Sequence, residues 1–251
     1  MESRVDFIGI PLNNLCMSET LDKIENAIVS NKQILHCVIN AGKVVKIQND
    51  RKLKQSVISS DIINADGMSI LWAAKFLGYK IKERVAGIDL MENLVELAHK
   101  KKYTCFFLGA KQQVVKKVVA QYSNRYSKKI IAGFRNGYFD EKDEKEIIKK
   151  IKESNADFLF VAITSPKKEI FLNKYKNELK NINLIMGVGG SFDVISGTVK
   201  RAPKFMQDLG LEWFYRFIQE PRRMWKRYLI GNFKFLILIL KAKFFSSAKI
   251  K

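Results

Sequence analysis

An aspartate placed after an apolar run and before a glycine is a candidate for acid–base chemistry, and Asp66 stands in that setting, behind Ile62-Ile63-Asn64-Ala65 and ahead of Gly67. A carboxylate there can take the proton of an attacking hydroxyl. It can equally cap the helix that the apolar pattern of residues 68–77 predicts, and the local sequence allows both uses. A second candidate is Gly187-Val188-Gly189-Gly190, followed by Ser191-Phe192-Asp193, where glycines let backbone N–H groups approach a phosphate or nucleotide. Its spacing is not G-x-G-x-x-G and no Walker A sequence occurs, so a plain tight turn stays open beside a nucleotide loop. Metal chemistry finds little to build on. His36 and His99 are the only histidines, no Asp-x-Asp pair occurs, and Asp140 and Asp143 flank a lysine-rich helix start where capping is the simpler use. No metal or other cofactor is expected.

Seven short runs can position these residues: 5–10, 34–39, 62–65, 104–108, 129–134, 158–163 and 184–188, each rich in β-branched and aromatic side chains. Several are apolar throughout, as strands buried on both faces of a parallel sheet are. Between them lie patterns of period near 3.6, such as Leu21, Ile24 and Ile28 after a Ser18 cap, and Ile147, Ile148 and Ile151 after Asp140. Strand and helix in alternation predict an α/β fold with a Rossmann-like, doubly wound, mainly parallel sheet. Ligands of such sheets bind outside the carboxyl ends of the strands. Asn40-Ala41-Gly42, Asp66-Gly67, Gly109-Ala110, Gly137-Tyr138, the stretch from Thr164 to Glu169 and the 187–190 loop should therefore converge on one crevice.

With 47% apolar and 28% charged residues, 14 Gly and 4 Pro, the 251-residue chain lies outside the disordered, collagenous and disulfide-framework classes. Cys16, Cys37 and Cys105 each sit beside apolar residues and read as buried thiols of a reducing compartment. No basic leader precedes an apolar run at the N-terminus and no charge-free run approaches the ~20 residues of a span, so a cytoplasmic chain that does not cross the bilayer is expected. The net charge is +20, and half of that excess falls in residues 200–251, which carry thirteen Lys and Arg against Asp208, Glu212 and Glu220. If 222–243 is one helix, Trp225, Leu229, Leu236 and Leu240 share a face opposite Arg223, Arg227, Lys234 and Lys241. That predicts a domain over 1–199 and a basic amphipathic appendage over 200–251 that docks on the inner face of the cell membrane. Packing of the helix on the domain or a partner subunit stays open, self-association included. Nucleic acid is not the expected partner.

The constellation resembles the WecG/TagA/CpsF family of bacterial glycosyltransferases from about residue 5 to residue 230. It does so through Asn40-Ala41, Ala65-Asp66-Gly67, Arg84-Val85-Ala86-Gly87 with Asp89-Leu90, Phe107-Leu108-Gly109, Gly137-Tyr138-Phe139, and Pro166-Lys167 with Glu169. Further pieces are the 187–190 loop with Phe192-Asp193, Arg201-Ala202-Pro203, Gly210-Leu211-Glu212-Trp213, Tyr215-Arg216 and Glu220-Pro221-Arg222. The resemblance implies a GT-E-like fold and an inverting, metal-independent transfer of a hexose, usually N-acetylmannosamine. The donor would be a UDP-sugar and the acceptor an undecaprenyl-diphosphate-linked sugar, in teichoic acid, capsule or exopolysaccharide synthesis. It implies Asp66 as the base and places Asn40 and Arg84 near the donor and its diphosphate. Gly109, Gly187, Gly189, Gly190 and Asp193 would hold the nucleotide, with Tyr138 to stack on uracil. Arg216, Arg222, Arg223 and Arg227 would meet the leaving group or the membrane.

Two departures from the family pattern bear on the donor. Val38 stands where the family usually has Thr, and Lys168 where Gly-x-Pro-x-Gln-Glu has its Gln. A mobile ammonium cannot accept a hydrogen bond from an acetamido N–H, so these departures predict a donor without an N-acetyl group. A nucleotide-dependent oxidoreductase would need G-x-G-x-x-G after the first run, where Gly9-Ile10-Pro11-Leu12-Asn13 stands instead. A non-catalytic membrane tether of a polysaccharide assembly is the alternative from another class.

Overall fold

The computed structural model describes residues 4–246, and within them the side chains of Arg223, Lys226, Arg227, Phe245 and Ser246 fall outside the description. Six strands form one parallel sheet: β3 (Ile34–Ile39), β4 (Ile62–Ala65), β5 (Cys105–Gly109), β6 (Ile131–Arg135), β7 (Phe158–Ala162) and β8 (Leu184–Gly187), in the order β4-β3-β8-β7-β5-β6. All five pairings are parallel. Side chains alternate between the two faces. On β7, Phe158 and Phe160 enter one core cluster while Leu159 and Val161 enter another. Both faces are covered by helices, which is why runs such as those of β5, β7 and β8 read as apolar throughout.

The first expected strand is corrected. Residues 5–10 do not join the sheet. Instead β1 (Arg4–Asp6) and β2 (Pro11–Asn13) pair antiparallel as a separate hairpin. Ile8 and Gly9 both adopt positive φ, 55° and 74°, and reverse the chain inside what reads as a single strand. The hairpin lies against the β4 edge, where Asn13 Oδ1 accepts from the Ile63 N–H at 2.8 Å.

The first helices are α1 (Met17–Val29), α2 (Ala41–Asn49), α3 (Arg51–Ile58), α4 (Met68–Leu77), α5 (Gly87–Lys101) and α6 (Gln112–Arg125). Then come α7 (Glu144–Glu153), α8 (Lys167–Tyr175) and the short α9 (Ser191–Ile195). The cap of α1 is Cys16 and not Ser18, because Glu19 reaches back to the Cys16 N–H at 2.9 Å. That leaves Cys16 half-buried, whereas Cys37 and Cys105 are buried as expected. Asp140 starts a single 3₁₀ turn, and α7 begins only at Glu144.

The basic tail is helical without a break from Pro221 to Ser246, with a π-helical stretch inside that span and two shorter helices before it. It runs through α10 (Lys204–Asp208), α11 (Glu212–Gln219), α12 (Pro221–Trp225), a π-helical stretch (Lys226–Ile230) and α13 (Gly231–Ser246). The wider π turn shifts the phase of Trp225 and Leu229 relative to α13, and the face of α13 that packs on the fold is apolar, not basic. It carries Phe235, Leu238 and Ile239, which join the core cluster of Val44, Ile47, Ile70 and Ala74 on α2 and α4. The outer face of α13 remains apolar and exposed, through Phe233, Leu236, Ile237, Leu240 and Phe244, with exposed Lys234 and Lys241 at its flank. Among the described residues no helix is long and apolar enough to cross a membrane.

His36 on β3 is fully buried, and its Nε2 lies 2.9 Å from Asn64 Oδ1. Burial lowers its pKa from 6.5 to about 4, so it stays neutral in the fold. As pH falls below 6.5 the unfolded chain gains a proton that the folded chain refuses until about pH 4, and stability is lost across that window. This linkage amounts to about 2 kcal/mol between pH 7 and pH 5. His36→Gln keeps a donor for Asn64 but cannot titrate. Urea unfolding at the two pH values should show a smaller loss for the variant than for the wild type, and equal losses would rule the histidine out as the acid-sensitive group.

Candidate active site

The polar residues that follow the strands meet in a crevice of about 1930 Å³ at the carboxyl ends of β3, β4, β7 and β8. Strands β3 and β8 are neighbours there although they are the first and last strands of the sheet in chain order. Crevices of doubly wound sheets open where the strand order breaks in this way.

Asp66 is set by backbone contacts on both sides. Its N–H donates to the Ile39 carbonyl at 2.8 Å, which ties it to the end of β3 beside Asn40, and the Val85 N–H donates to Ala65 at 3.0 Å, which brings Arg84 to the same strand end. Asn40, Asp66 and Arg84 all line the crevice. The capping reading of Asp66 is corrected, since the N-cap position of α4 falls on Gly67 at φ 118°. Capping belongs to Asn40, whose Oδ1 accepts from the Lys43 N–H at 3.1 Å.

The tail closes the other side. Arg84 Nη1 is 3.0 Å from Glu212 Oε2 on α11, and Glu212 also lies 3.7 Å from Arg201, which Asp89 holds at 2.6 Å. These four residues clasp the tail to the sheet domain. In the sequence Glu212 is one residue of the 210–213 motif without a role of its own, and its partner on a distant segment reveals one. Arg216, from the same helix, lies over the 187–190 loop: a Cβ on Gly190 would sit 3.0 Å from both guanidinium Nη atoms. Arg216 also faces Asp193 at 3.9 Å and Glu220 at 3.6 Å.

Gly187, Gly189, Gly190, Asp193, Lys168 and Tyr138 line the crevice as well, Tyr138 at its rim with 69% of its surface exposed. Gly109 does not. Its φ is 139° and a Cβ would lie 2.4 Å from the Ala162 carbonyl oxygen, so this glycine serves the close approach of β5 to β7. Ala110 takes its place in the lining. Arg222 is exposed outside the crevice, and the side chains of Arg223 and Arg227 lie outside the described set.

Lys168 is not the mobile cation expected. It is buried, its carbon chain runs under Gly187, and its Nζ lies 3.3 Å from Glu169 Oε1. A buried ammonium held by its neighbouring carboxylate does not discriminate against an acetamido group, so the expectation of a donor without one loses its basis. Glu169 is shared with Lys43, a buried lysine that sequence reasoning missed, at 2.7 Å. Burial raises the Glu169 pKa, but the two ammonium groups outweigh it and hold the carboxyl at about 2.

A carboxylate at a strand end, arginines on two sides and a glycine loop suit a displacement in which a hydroxyl loses a proton and an anionic group departs. The sequence profile of the Glycosyl transferase WecG/TagA/CpsF family matches residues 5–249. The chain belongs to that family. It is 35% identical over 234 residues to the N-acetylglucosaminyldiphosphoundecaprenol N-acetyl-beta-D-mannosaminyltransferase of Bacillus subtilis (strain 168), covering 93% of this chain and 90% of the relative. The enzyme of the same name from Bacillus spizizenii is 37% identical over 196 residues, which are 78% of this chain and 74% of that one. In this member of the glycosyltransferase family, the six-stranded sheet and the tail both supply residues to the lining of one crevice.

Proposed function

We propose that this glycosyltransferase moves N-acetylmannosamine from UDP-N-acetylmannosamine to the N-acetylglucosamine of an undecaprenyl-diphosphate-linked acceptor, with inversion, in teichoic acid linkage synthesis. The acceptor oxygen bonds to the anomeric carbon as the bond from that carbon to the β-phosphate oxygen breaks. The acceptor proton passes to the Asp66 carboxylate, and UDP departs with the bonding pair. Arg84 and Arg216 meet its developing charge. The observation that carries this reading is the common crevice of Asp66 and Arg84, whose segments are tied to one strand end through Ala65 and Val85 and faced by Arg216 from α11. The names of the two Bacillus relatives support the transferred sugar and the acceptor.

The enzyme works at the membrane surface in this reading, with the exposed apolar stripe of α13 in the interface and Lys234 and Lys241 at the headgroups. The test uses the full chain with a short-chain polyprenyl-diphosphate N-acetylglucosamine. UDP should be released from UDP-N-acetylmannosamine only when acceptor is present. Faster consumption of UDP-glucose in equal competition would overturn the donor assignment. No UDP release from either donor would favour the non-catalytic tether.

A further inference from the structure

The floor of the crevice holds more positive charge than its carboxylate balances. Lys43, Lys168 and Glu169 keep only 6%, 5% and 5% of their surface exposed, and both ammonium groups face the same oxygen, Glu169 Oε1. Lys43 is the nearer, and it also donates to the Val38 carbonyl at 2.7 Å and reaches Cys37 Sγ at 3.4 Å. Among the described residues Lys168 has Glu169 as its one ion-pair partner, shared and at 3.3 Å. His36 lies close enough to feel both lysines, and it is neutral above about pH 4, so it supplies no counter-charge.

A buried ammonium without its own counter-ion is costly to keep, and burial together with Lys43 lowers the pKa of Lys168 accordingly. The cost falls when an anion arrives. The geometry opens one side of Lys168 to that arrival. A Cβ on Gly187 would press on Lys168 Cε at 2.7 Å, and a Cβ on Gly189 would stand 3.7 Å from Nζ. The two glycines put no side chain between this ammonium and the crevice, which all three residues line.

We propose that Lys168 is an anion-binding residue for the donor: from beneath Gly187 and Gly189 its ammonium meets the diphosphate of the bound nucleotide, which completes the charge balance that Glu169 leaves open. The inference rests on the nucleotide-sugar reading above and adds a residue to it. It also assigns the lysine a role distinct from sugar selection, because the group it recognises belongs to the leaving nucleotide.

The test measures UDP binding by calorimetry and uridine binding by ligand-observed NMR, on the full chain and on Lys168→Gln and Lys168→Met. Both variants should bind UDP about tenfold or more weakly, as expected for loss of a charge-assisted contact, and should bind uridine as the wild type does. Lys168→Met, of similar length and free of the unbalanced charge, should melt at or above the wild-type temperature. Unchanged UDP affinity would overturn the proposal. So would a parallel loss for uridine or a melting temperature well below wild type, because either marks a packing role. A wild-type chain that does not bind UDP would overturn the nucleotide-sugar reading itself, and this inference with it.

Discussion

Asp66→Asn is expected to cut sugar transfer by about 10²–10⁴-fold while the protein folds and melts as the wild type does. The separation is possible because the two uses of an aspartate at this place fall on different residues. The N-cap of α4 is Gly67, and the Asp66 contact that ties β4 to β3 is made by its backbone N–H, which asparagine retains. Asparagine preserves size and polarity but cannot take a proton from the acceptor hydroxyl. UDP binding should persist, since Arg84 and Arg216 remain in place, so the defect belongs to turnover and not to affinity. Purified variant and wild type compared for UDP release, UDP affinity and thermal melting decide the matter. Wild-type turnover by the variant would remove Asp66 from the mechanism.

How far the sequence discloses this site depends on whether each residue's partner is local. The strands β5, β7 and β8 are readable because helices cover both faces and leave uninterrupted apolar runs, and β3 and β4 because their runs are broken only by His36 and Asn64, which pair with each other in the interior. Convergence of Asn40, Asp66 and the 187–190 loop follows from the rule that parallel strands end on one side. The hairpin at residues 4–13 is hidden, since its reversal depends on left-handed φ at Ile8 and Gly9 within a run that alternates like a strand. Lys43, and with it the pairing of Glu169, is hidden for another reason. Charged residues on helices read as solvated, and only the fold brings α2 and α8 to the same crevice floor. The clasp of Arg84 by Glu212 has the same origin, a contact between segments far apart in the chain. For α13, a helix apolar on two faces offers no periodicity from which to choose the inner one.

Truncation after Lys200 is expected to abolish transfer and also to destabilise what remains. A membrane appendage that merely follows the domain would leave a soluble core of unchanged stability, as its charge pattern alone predicts. The contacts of α13 argue otherwise. Phe235 and Ile239 are 7% and 4% exposed against α2 and α4, and their removal uncovers the faces of Val44, Ile47 and Ile70. Each such side chain contributes about 1.5–3 kcal/mol of burial. The truncated chain should therefore melt well below the full one and bind a dye for exposed apolar surface. It also loses Arg216 over the glycine loop and Glu212 on Arg84, so the leaving group meets fewer cations in an open crevice. Leu236→Glu with Leu240→Glu separates membrane contact from packing: both are exposed, so the doubly substituted chain should melt like wild type yet lose binding to anionic vesicles and most transfer to a vesicle-borne acceptor. A truncated core that transfers sugar at the full rate would show that the tail has no part in the site, and undiminished vesicle binding by the double variant would remove α13 from the membrane interface.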